Sequence, residues 1–167
     1  MRLPEEEVLQ DLLEVSEIVL GQKAVSMLKR RVKEKNLSRL SEIVFELAQE
    51  VQDILGERGS YATMRQIGRE VAKKLSKQHP PEDREQIFRI GLRMMGFAEG
   101  IGDQEGFVYI QSCVFYPDFL EPRGLSPLQH CTCYGCVGFI EGFLSLLEGK
   151  KGIEWVKRED NKCFFKA

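Results

Sequence analysis

Residues 107–115 read FVYIQSCVF, and how this stretch is read decides the fold class. Valine, isoleucine, phenylalanine and tyrosine dominate it. β-Branched and aromatic side chains suit a pleated, half-buried surface, so a strand is predicted here. Before it lie residues 4–99, whose apolar side chains recur mostly at helical spacing. After it, past a loop through Pro117, Pro122 and Pro127, comes one more apolar helix ending near residue 148. The tail IEWVKREDNKCFFKA (153–167) then reads as two short strands around a turn at 159–162. A helical half followed by strands that bracket a helix is an α+β pattern, with a small antiparallel sheet packed against helices. One domain over 1–167 is expected, mainly helical over 1–99 and strand, helix and hairpin over 100–167.

In the helical half, Pro4 fits a first-turn position, and Glu5, Glu6 and Glu7 favour a helix N-terminus electrostatically. Leu9, Leu12, Leu13, Ile18 and Leu20 form the first apolar stripe, and Gly21 interrupts it. A second run, 24–35, ends in KRRVKEK, which reads as a solvated face. Ser38 or Ser41 can cap the next helix, where Ile43, Val44, Leu47, Val51, Ile54 and Leu55 recur at three- and four-residue steps. Gly56 and Gly59 bracket an expected turn before a further helix over 60–77. His79, Pro80 and Pro81 stop that helix, and His79 reads as a loop residue without a role. A helix over 82–99 follows, with Met94 and Met95 as core filler. The four glycines of GFAEGIGDQEG (96–106) mark a turn-rich stretch.

Composition narrows the function. With 24 basic against 26 acidic residues in 167, no strong field exists to attract nucleic acid, and no helix-turn-helix can be defended. No segment reaches the roughly 18 apolar residues of a membrane span, and no secretory leader is evident, so a cytoplasmic protein is expected. Neither glycine-rich nucleotide fingerprint occurs. Only two histidines are present, one of them in a breaker, so general-base chemistry is poorly supplied and no catalytic residue is assigned.

The remaining chemistry sits in HCTCYGCVGFIEG (130–142). Four of the five cysteines fall between Cys113 and Cys136. Cys133 and Cys136 form one C-x-x-C pair, which supplies two zinc ligands, and no second pair exists. The other ligands must come from Cys113 and Cys163, with Cys131 and His130 as alternates. A redox-active Cys133–Cys136 pair and plain burial are the competing readings. Cys136, Phe139, Ile140, Phe143 and Leu147 share one helical face. Gly138 and Gly142, four apart, expose backbone that another element can approach closely. The helix starts either near Pro127 or near Gly135. Glu141 and Glu148 read as solvated.

Cys133-x4-Gly138-Phe139-Ile140-x-Gly142-Phe143, then IEWVKRE and Cys163-Phe164-Phe165, resemble the C-terminal signature of the 4-vinyl reductase domain. That family belongs with subunits of the vesicle-tethering transport protein particle (TRAPP) in one α+β ligand-binding superfamily. The resemblance covers 107–167, and YATMRQIGREVAKKL (61–75) is similar to the helix preceding the family's sheet. Many members carry a further cysteine in the penultimate strand, where this chain has Trp155, Val156 and Lys157. The resemblance implies a small-molecule-binding or sensory module, often a homodimer, with zinc on its cysteines and an apolar pocket, and the residues themselves make a non-enzymatic role the expectation. Phe97, Phe107, Tyr109, Phe115, Phe139, Phe143, Trp155 and Phe165 are the candidate lining of that pocket, which would take a small apolar molecule. A thiol redox regulator and an assembly subunit are the alternatives.

Overall fold

The computed structural model describes residues 3–149 and 152–167. Helix α1, Glu5–Leu20, starts directly after extended Pro4, with its three glutamates in the first turn. It buries Val8, Leu12 and Val15. Gly21, at φ 96°, ends α1 and begins α2, Gln22–Glu34. This left-handed conformation is open to glycine at little cost, and it lets two helices follow one another without a loop. The basic cluster lies on the solvent side, with Arg31 4.0 Å from Asp53 and Lys35 2.9 Å from Glu46.

Helix α3, Leu40–Lys77, is the longest element. Neither Ser38 nor Ser41 is its N-cap; Arg39 is, and the Glu42 side chain accepts the Arg39 amide at 3.1 Å. The expected turn at Gly56 and Gly59 is a single kink, because only Gly56 leaves helical geometry, at φ 75° and ψ −177°. A short 3-10 turn, Pro81–Asp83, leads into α4, Arg84–Met94. Helix α5 spans Cys131–Leu147.

The sheet holds β1 (Gly100–Gln104), β2 (Phe107–Gln111), β3 (Glu154–Glu159) and β4 (Lys162–Lys166) in the order β1-β2-β4-β3, all antiparallel. The fold is therefore α+β. Strand β1 is a correction to the turn-rich reading of 96–106. Its glycines discourage a strand locally, but side chains of β2 cover them: a Cβ on Gly102 would strike the Tyr109 ring, and one on Gly100 would touch Gln111. The cross-strand partner supplies the packing that glycine lacks. Strand β2 is shorter than expected and stops at Gln111, because Ser112 takes φ 63° and turns the chain.

The core lies where α5 meets α3. A Cβ on Gly138 would run into the Arg65 carbonyl, one on Gly68 into the Gly135 carbonyl, and one on Gly142 into Ala72 and the Arg69 carbonyl. The close approach expected of these glycines is thus made against α3. It also overturns the solvated reading of Glu141, which is 3% exposed. Arg65 grips it with two hydrogen bonds, at 2.6 and 2.7 Å, Arg69 stands at 3.7 Å, and the Ile153 amide donates to it at 3.2 Å. Leu147, placed on the buried face from its spacing, is 40% exposed because α5 outruns its cover there. Among the described residues no helix is long and apolar enough to cross a membrane.

Candidate functional site

Helix α5 starts at Cys131, between the two positions its sequence allows. His130 is the N-cap: its Nδ1 accepts the Thr132 amide at 3.2 Å. That start places Cys133 and Cys136 in the first two turns, three residues apart and on one side. Cys163 on β4 stands opposite Ile110 of β2. Cys113 lies beyond the end of β2, not on a strand as expected, and is carried inward by the turn at Ser112.

These four cysteines, Cys113, Cys133, Cys136 and Cys163, line one cavity of about 40 Å³ between the sheet and α5. Phe97, Phe115, Trp155 and Phe165 complete its walls with Ile110, Leu128, Thr132 and Val137. Ligand pockets commonly measure about 300 to 1,000 Å³. The cavity thus has the size for an ion or a few atoms, not for a lipid chain.

The backbone of Tyr116 and Phe115 favours the thiolate at Cys113, and that of Leu128, a residue held at φ 64°, does so at Cys133. Arg158 Nη1 lies 3.4 Å from Cys163 Sγ and 3.9 Å from Cys113 Sγ. The indole N–H of Trp155 is buried and has no acceptor among the described residues. Burial opposes the thiolate form: it raises the Cys113 thiol, pushes Cys133 up to about 12, and lifts Cys136 well above its ordinary range. Cys113, Cys133 and Cys136 are therefore protonated at neutral pH unless a cation takes the place of their protons.

The other expected ligands point elsewhere. Cys131 is wholly buried against α3 and donates to the Ala48 carbonyl at 3.1 Å, and burial pushes its thiol up to about 12. His130 has both ring nitrogens occupied: Nε2 meets Gln49 Oε1 at 2.9 Å, while Nδ1 meets the Thr132 hydroxyl at 2.8 Å and its amide. It stacks on Phe45, and burial, with the nearby Arg123 charge, brings its pKa down to about 4. Of the eight aromatic candidates, four are not on the cavity wall. Phe107 and Tyr109 alternate with inward-facing Val108 and Ile110, so they belong to the outer sheet face, where Lys162 covers the Tyr109 ring. Phe139 and Phe143 point from α5 towards α4: Phe139 sits over Gly91, and Phe143 stacks on Phe88 at 4.9 Å.

Arg158 was not among the residues read from sequence. Strict alternation along β3 puts Trp155 and Arg158 on opposite faces, but a bulge between Trp155 and Lys157 restores them to one face. Trp155 pairs with Phe165 and Arg158 with Cys163, both partners being cavity residues.

Among the described residues no three histidine, cysteine, aspartate or glutamate side chains already converge as a metal-binding group. The donor set nevertheless fits a soft cation: four sulfurs face one small apolar cavity, and a guanidinium N–H reaches two of them. In comparisons with known proteins, no family model matches the chain, and neither a curated protein nor a solved structure matches it.

Proposed function

We propose that this chain is a non-enzymatic binding and sensory module of the 4-vinyl reductase domain type, whose centre is the cysteine cavity holding zinc on Cys113, Cys133, Cys136 and Cys163. The observation that carries this reading is the shared cavity. Two cysteines from α5, one from β4 and one from the loop after β2 face a space of about 40 Å³. Zinc prefers four such ligands at about 2.3 Å, so binding would draw the sulfurs inward and release their protons. It would tie α5 to the sheet, and occupancy would favour whichever conformation a partner reads, through differential affinity. Apolar walls also suit the small apolar molecule the resemblance implies, at the scale of the few atoms that about 40 Å³ admits. A homodimer and a cytoplasmic setting are part of the same reading.

The redox alternative is weaker on chemical grounds. The attacking species in disulfide exchange is the thiolate, and burial holds both Cys133 and Cys136 protonated. An assembly role draws support from the exposed apolar residues Ile18 and Ile54 on the long helices, 83% and 53% exposed.

Elemental analysis of protein purified without added metal tests the centre. About one zinc per chain, with four cysteines that react with thiol reagents only after chelation, is the expected result. Cys163→Ser should abolish stoichiometric binding, and Cys131→Ser should leave it intact. No metal uptake by full-length protein would overturn the reading.

A further inference from the structure

Four thiolates around a divalent ion leave a surplus of negative charge, and an apolar wall does nothing to solvate it. Something at the cavity must offset that charge. Among the polar groups at its edge, the Thr132 hydroxyl is already engaged by His130 at 2.8 Å. The charged group in contact with two of the sulfurs is Arg158.

Several contacts fix its placement. The β3 bulge turns it to the inner face. Its guanidinium stacks on Tyr116, 4.4 Å from the ring centroid, and Nη2 donates to Asn161 Oδ1 at 2.8 Å. Asn161 in turn donates through Nδ2 to the Ser112 hydroxyl at 3.1 Å, and the Ser112 amide donates to the Asn161 carbonyl at 3.0 Å. Both Ser112 and Asn161 hold left-handed backbone, at φ 63° and 61°, beside Cys113 and near Cys163. Such conformations persist where the surroundings enforce them and often gather at working sites. The other end of the fork, Nη1, is left to the two sulfurs.

We propose that Arg158 is the charge-compensating, positioning residue of the cysteine centre: it holds the Cys113 and Cys163 sulfurs together and offsets the negative charge of a four-thiolate metal ion. This rests on the metal-centre reading above. Arginine suits the task because its planar fork serves Asn161 with one nitrogen and the sulfurs with another while stacking on an aromatic ring. Groups that hydrogen-bond to metal ligands in this way commonly change metal affinity by about 10- to 100-fold when removed.

The test is a competition titration of full-length protein with zinc and a chromophoric chelator, alongside cobalt substitution to read the sulfur-to-metal charge-transfer band. Arg158→Gln should lower zinc affinity by about 10- to 100-fold and shift the cobalt band while keeping four sulfur ligands. Arg158→Lys, which keeps the charge but not the fork, should recover part of the loss. If Arg158→Gln does not fold, Asn161→Gly, which tolerates the left-handed backbone and removes the guanidinium's anchor together with the Ser112 contact, should lower affinity several-fold. Wild-type affinity in these variants, or a lysine variant no better than glutamine, overturns the role of Arg158. Wild-type protein that takes up no metal overturns the centre itself, so the two failures are told apart.

Discussion

His130 and Arg158 are both cationic residue types beside the cysteines, yet their surroundings give them opposite characters. The His130 ring is 2% exposed, and its Nδ1 must stay unprotonated to accept the Thr132 amide that caps α5. Burial favours the same neutral form, so its folded pKa of about 4 lies below the ordinary value of 6.5. The unfolded chain therefore binds the proton more readily between these two values. The stabilisation is present in full above pH 6.5 and is lost as pH falls towards 4. On the order of 3 kcal/mol should disappear across that window. Urea unfolding of metal-free protein at a series of pH values measures it, and His130→Asn, which keeps a capping acceptor, should flatten that slope. An unchanged slope in the variant would assign the pH dependence to other groups.

At the scale of elements, the pairing of α3 with α5 depends on absent side chains. Alanine is a better helix former than glycine by about 1 kcal/mol, so propensity alone favours Gly138→Ala. The geometry argues the reverse, since the new Cβ would meet the Arg65 carbonyl. Parting the helices would also loosen the Arg65–Glu141 pair, whose carboxylate is 2% exposed. Gly138→Ala should therefore destabilise by about 1 to 3 kcal/mol, measured by thermal unfolding; an increase in stability would mean that the helices separate freely. The glycine spacing in α5 was legible because a period of four on one helix announces a close neighbour. Strand β1 was not legible, since its strand character comes from Tyr109 and Gln111 across the ladder. Arg158 was hidden for a related reason: the period of two that assigns faces to a strand fails at a bulge. Glu141 looked solvated because no pattern along α5 reveals that two arginines of α3 stand over it.

Across the whole molecule, α1 and α2 run antiparallel to α3 as one broken rod against another. Ion pairs mark the course in order: Glu7 with His79, Glu14 with Lys74, Arg31 with Asp53, and Lys35 with Glu46. The break at Gly21 falls between the second and third pairs, and so does the kink at Gly56. The amphipathic stripes made these helices readable from sequence, and Gly21 made the first break readable. The partner of each stripe was not readable, because helical spacing tells which side is buried and not against what. The same limit applied to the cysteines. Their number and the C-x-x-C pair pointed to one centre, while only the folded chain separates the four that share a cavity from Cys131, which faces Ala48.

The chain contains a single tryptophan, and Trp155 is on the cavity wall. Its emission is therefore a built-in optical gauge of that one place, with no second indole to dilute the signal. Zinc, which is closed-shell, should change the colour and intensity of the emission by ordering the wall, whereas cobalt should quench it outright. Stepwise titration of each ion into metal-free protein would record occupancy without any added label, and an emission spectrum indifferent to both ions would place metal binding elsewhere in the molecule.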